Sequence, residues 1–141
     1  MDIRIILADL NVEPGCPPEP APRGIGPHGR LAFAPELAPS GKRFFPFLVE
    51  HSLDVRNTWF EHPPEQQYTF YPPVPYHRPL VVDHVLIDGR SKSNLLDVRV
   101  RNDINISSFE TPRDTDGAIP GHRLMEASIR LKLQRPRPKL T

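Results

Sequence analysis

One cysteine, Cys16, stands in 141 residues, which excludes an intramolecular disulfide framework and fits an intracellular chain. No apolar run approaches the roughly 20 residues of a membrane helix. Asp2 and Arg4 interrupt the short apolar stretch at the N-terminus, so neither a membrane span nor a secretory signal is expected. Without an export signal, the glycosylation pattern Asn105-Ile106-Ser107 is a chance match. Charge of one sign is scarce as well. The formal balance is +1, so the whole chain is not a polycation. Apolar residues make up a low 38%, and the length leaves room for one domain.

What is abundant is proline, 19 of 141 residues, far above the roughly 5% of average usage. Residues 14–39 hold too much Pro and Gly for regular structure, and a long surface loop is predicted there. The basic residues gather late. Arg123, Arg130, Lys132, Arg135, Arg137 and Lys139 face only Glu126 across the last twenty positions. That asymmetry suits an acidic partner, and a solvated edge strand with a frayed tail over 134–141 would suit it equally.

Between these regions the hydrophobic pattern alternates between two periods. Residues 3–8 predict a buried strand ending at Asp9 and Asn11. Phe44, Phe47 and Leu48 fall at helical spacing, with Pro46 either opening or kinking that helix. "YTFY" reads as a short strand, and "LVVDHVLI" (80–87) as a buried one closed by the turn dipeptide Asp88-Gly89. "LLDVRVR" (95–101) sets Leu96, Val98 and Val100 against Asp97, Arg99 and Arg101. "LMEASIRLKL" (124–133) places Ile129, Leu131 and Leu133 inward. Trp59, Phe60, Tyr68 and Phe70 are expected to pack in the core. Strand, long loop, helix and several strands together predict an α/β (α+β) sandwich.

Four polar residues sit where a strand prefers apolar ones, or just where a strand ends: Asp9, Asn11, Asp83 and His122. An ionised carboxylate inside "LVVDHVLI" is costly unless paired or turned to solvent at an edge. His84 should point to the opposite face from Asp83. An Asp can orient a His through a ring N–H. A second Asp can take a proton from water, and an Asn can donate to a developing oxyanion. That set suits phosphodiester hydrolysis, provided further acids hold a divalent metal.

The blocks "LADLNVEPG", "GPHG", "SGKRFFPFLVEHSLDVRNTWF", "YTFYPP", "LVVDHVLI", "LLDVRV" and "GHRLMEASIRLKL" occur in that order. This arrangement resembles the second half of the endonuclease/exonuclease/phosphatase superfamily. It is most similar to the apurinic-type endonuclease domains of non-LTR retrotransposons and to craniofacial development protein 2-like proteins. The resemblance spans roughly residues 3–133. It implies a partial DNase I-like fold, with mostly antiparallel strands and one or two helices, followed by a basic Pro-rich tail (134–141). It further implies that Asp9 positions or deprotonates the attacking water and that Asn11 bonds the scissile phosphate. Asp83 would orient the catalytic histidine, and His122 would be that histidine. Mg²⁺ is the family's cofactor and DNA its partner.

The departures are specific. The family's Ser-Asp-His is Pro120-Gly121-His122 here, so Gly121 replaces the metal-binding Asp. The family's first half, with its principal metal-ligating Glu, has no counterpart. Glu110, Asp114 and Asp116 read as a solvated loop and not as substitute ligands. A truncated, catalytically inactive relative in which Mg²⁺ is not retained is therefore expected, in an intracellular setting with a nuclear address left open. An active Mg²⁺-dependent nuclease and a non-enzymatic interaction module using "RPRPKL" are the other readings. On the first of these three readings the four site residues should converge at one sheet rim, and one sheet face should lie exposed.

Overall fold

The computed structural model describes residues 2–13, 23–28, 39–73, 78–104, 106 and 120–132. Among them lie β1 (Ile5–Asp9), α1 (Pro39–Glu50), β2 (Leu53–Val55), β3 (Phe70–Tyr71), β4 (Asp83–Asp88), β5 (Leu95–Arg101), β6 (Gly121–His122) and β7 (Leu124–Ile129). Three antiparallel sheets result: β1-β4-β2, the pair β3-β6, and the pair β5-β7. The mixed α+β class with mostly antiparallel strands is thus the observed one. The tail over 134–141 and the acids Glu110, Asp114 and Asp116 lie outside the described residues. No described helix is long and apolar enough to cross a membrane.

Strand β4 builds the core because both its faces are covered. On one side Leu86 joins Phe44, Phe45 and Leu48 of α1 and Leu53 and Val55 of β2. On the other, Val85 and Ile87 pack against Leu95 and Val98, with Met125 and Ala127 closing the layer. Period-2 alternation thus feeds two cores from one strand. That explains why "LVVDHVLI" reads as a continuous apolar run. Helix, three-stranded sheet and two-stranded sheet stack in that order.

Several predicted faces are corrected. Helix α1 buries Gly41, Phe44, Phe45 and Leu48, an i, i+3, i+4, i+7 stripe. Phe47 instead lies outside, its ring 4.7 Å from that of His51. Pro46 neither opens nor visibly ends α1. It sits inside the helix on the solvent side, where water can replace the lost N–H as partner of the Lys42 carbonyl. In β5 a register shift between Leu95 and Asp97 turns Leu95 inward and leaves Leu96 exposed. In β7 the inward residues are Met125 and Ala127, opposite buried Val100 and Val98. Ile129 and Leu131 are exposed, and Leu133 lies outside the described residues. Antiparallel partners share a face, so the register, not hydrophobicity alone, chose between the two parities.

Two further differences concern position. β1 is an edge strand of its sheet, not a buried one, and Leu7 is 70% exposed. The Pro/Gly-rich stretch is not surface loop throughout. Ile25 is buried in the helix-side core and bridges Val55. Gly24 has φ +94°, and a Cβ on it would lie 2.3 Å from the Leu53 carbonyl oxygen. Only glycine lets the backbone come this close.

Candidate functional site

The antiparallel register β1·β4 sets Asp9 directly opposite Asp83 at one end of the sheet. The pair β3·β6 then delivers His122 to the same rim, opposite Phe70. His122 Nδ1 lies 2.9 Å from Asp83 Oδ2, and its Nε2 lies 3.6 Å from Asp9 Oδ2. One carboxylate is thus a hydrogen-bond partner of the imidazole, and the other faces its second nitrogen. The ligand atoms of Asp9, Asp83 and His122 all lie within 4.8 Å of one another.

Local chemistry explains how each side chain is held. Asn11 has φ 48°, a left-handed conformation that Asn tolerates better than most residues. Its N–H donates to Asp9 Oδ1 at 2.9 Å, an Asx turn that fixes one Asp9 oxygen and leaves the other toward His122. Asp83 is fixed from behind by buried Thr69, whose Oγ1 accepts the N–H of Val82 at 3.0 Å and of Asp83 at 3.1 Å. The Phe70 ring packs on His122 with centroids 4.8 Å apart. Arg123 sits beside them, its guanidinium 4.2 Å above the Tyr71 ring.

Of the four residues singled out in the sequence, three meet. Among the described residues the Asn11 side chain makes no hydrogen bond to the others, and Asn11 takes part through its backbone. His84 does point away from Asp83. It is buried, and its Nε2 donates to the Val12 carbonyl at 2.8 Å. Burial pushes the His84 pKa down. Asn57 lies 3.5 Å from its Nδ1 and also caps the Val85 N–H. This tether and the Glu13–Arg78 ion pair, with oxygens 2.5 and 2.6 Å from the guanidinium, hold the chain just after Asn11, at Val12 and Glu13.

Sequence reasoning missed Thr69, whose role is carried by a buried hydroxyl just before β3. It also assigned Phe70 to the core, whereas Phe70 is half-buried against His122. Nothing in a period-2 pattern distinguishes an aromatic packed on a histidine from one packed on a leucine.

Gly121 has φ 112°. The backbone here has a conformation that strains any side chain, so Gly121 offers none beside His122. From the cluster a mainly apolar groove of about 390 Å³ runs between β1 and β7, past Leu7, Leu124, Met125 and Ile129. Comparison of the chain with protein-family models, with curated proteins and with solved structures gave no match.

Proposed function

We propose that this chain is an endonuclease/exonuclease/phosphatase-like domain of retrotransposon-endonuclease type, whose Asp9, Asn11, Asp83 and His122 form a phosphodiester-directed site without turnover. The observation that carries the reading is the 2.9 Å contact of His122 Nδ1 with Asp83, with Asp9 on the ring's other side. Accepting from Nδ1–H, Asp83 fixes the ring's orientation and turns Nε2 toward Asp9 and the rim, where a phosphate oxygen would meet it.

The donor set does not fit magnesium. Mg²⁺ takes near-ideal octahedral oxygen coordination at about 2.0–2.1 Å. Here the close donors are two carboxylates and a ring nitrogen, one carboxylate is already bonded to His122, and Gly121 offers no side chain. A bound metal ordinarily supplies several kcal/mol of charge stabilisation in such chemistry. Hydrolysis is therefore not expected of this donor set.

Two measurements test the reading together. The dinucleotide dTpdT should shift the His122 ring resonances in an NMR titration, and this response should vanish in Asp83→Asn. Plasmid nicking with Mg²⁺ or Mn²⁺ should match that of Asp9→Ala. A silent His122 would refute phosphodiester recognition. Metal-dependent nicking lost in Asp9→Ala would refute the absence of turnover.

A further inference from the structure

Strand β7 has β5 on one side and, among the described residues, no strand bonded to it on the other. Its outer row of N–H and C=O groups is therefore open to pairing. The face that β7 turns inward continues past the core. Met125 and Ala127 lie opposite Val100 and Val98, and Ile129 lies opposite Leu95, so all three share one face. Leu131 follows at the same parity. Yet Ile129 is 39% and Leu131 61% exposed. Ile129 borders the apolar groove between β7 and β1, which exposed Leu7 borders from the β1 side. Apolar residues exposed singly are ordinary, whereas these gather along one open strand edge. The other face of β7 is charged. Glu126 accepts from Arg99 at 3.0 Å and from Arg101 at 2.5 Å, and a carboxylate has lone pairs for a further donor. Arg130, among the described residues, is held by its backbone N–H alone, which donates to the Asn94 carbonyl at 2.7 Å.

We propose that β7 pairs antiparallel with β7 of a second copy of this chain, with Ser128 opposite its own counterpart on a two-fold axis. Ser128 is the midpoint of the described run 124–132, so this register uses the whole of it. Both faces then find complements. On the inner face Met125 meets Leu131 of the second copy and Ala127 meets Ile129, and the two-fold repeats each pair. A small residue thus faces a branched one, and the partner's Ile129 and Leu131 side chains point toward the groove beside Leu7. On the outer face Glu126 meets Arg130 of the second copy, a cross-strand pair of opposite charge. The two-stranded β5-β7 sheet becomes a four-stranded one, β5-β7-β7-β5, and its open edge disappears. The interface uses no property of the phosphodiester reading, and its test reports on β7 whatever His122 binds.

Sedimentation velocity of the full chain over a range of concentrations should show a reversible monomer–dimer equilibrium. Arg130→Glu sets like charges opposite each other twice across the axis and should raise the dimer Kd about tenfold. Leu131→Lys should weaken the dimer at least as much. Both positions are exposed, so circular dichroism should be unchanged. Cross-linking tests the register in a Cys16→Ser background, which removes the one native thiol. Directly opposite Cα atoms in an antiparallel pair lie about 4.5–5.5 Å apart, within disulfide reach, so oxidised Ser128→Cys should give a covalent dimer. Arg130→Cys, displaced from its own counterpart by four residues or about 13 Å, should not. The proposal is overturned if the chain stays monomeric at every concentration, or if the dimer is unmoved by both Arg130→Glu and Leu131→Lys. It is equally overturned if Arg130→Cys cross-links as well as Ser128→Cys.

Discussion

Acid should destabilise this fold through one buried histidine well before its carboxylates titrate. His84 is 1% exposed, and its pKa is lowered chiefly by desolvation. The Val12 hydrogen bond and the charges of Asp83, Asp9 and Glu13 oppose that shift without cancelling it. Because the Val12 carbonyl can only accept, Nε2 carries the proton and Nδ1 faces the Asn57 amide. In the unfolded chain His84 titrates near 6.5. Below that pH the unfolded state binds a proton that the folded state refuses, so folding stability falls as pH falls. One such proton gives a slope of up to about 1.4 kcal/mol per pH unit. Stability is fully present above about pH 6.5 and is lost progressively between that value and the depressed folded-state pKa. The carboxylates act in a lower window. Asp88 and Asp103 are both held down to about 2, by hydrogen bonds to Arg90 and Arg101 respectively, and Glu126 is lowered by Arg101 and Arg99. Their unfolded values of 3.8 and 4.5 place their losses below about pH 4.5. Urea unfolding at several pH values between 7.5 and 5 should show a steeper loss of stability in the unaltered chain than in His84→Gln. Parallel slopes in the two proteins would refute the reasoning.

Other consequences are direct. Leu48→Ala removes a side chain that is 1% exposed in the helix-side core and should cost about 2–5 kcal/mol in denaturant unfolding. Thr69→Val orphans the Val82 and Asp83 N–H groups. It should cost about 1–3 kcal/mol for each unsatisfied donor and should shift the His122 ring resonances, because Asp83 is released. Leu7→Lys replaces an exposed apolar residue on an edge strand. Stability should stay within about 0.5 kcal/mol, while self-association measured by sedimentation should fall. Gly24→Ala collides with the Leu53 carbonyl at a positive φ, and its melting temperature should drop more than that of Leu7→Lys.

The rim cluster was legible because its members violate local expectation. A carboxylate in "LVVDHVLI", and an Asp and an Asn at a strand end, are conspicuous against an apolar background. Thr69 and Phe70 are not, since a threonine and an aromatic are ordinary strand residues.

The sequence by itself determined the elements. Period-2 and period-3.6 patterns placed β4, β5 and α1, and the polar interruptions marked Asp9, Asp83 and His122. Only the tertiary structure decided the faces and the meeting points. The inward parity of β7 depends on its register with β5, and the inward end of β5 depends on a bulge. β1 became an edge because β4 pairs with β2 on its other side, and Ile25 was buried because the open flank of β2 needed a cover. The physical reason is the same in each case. A residue's own chemistry sets which surroundings it tolerates, but hydrogen-bond register between distant segments sets which surroundings it receives.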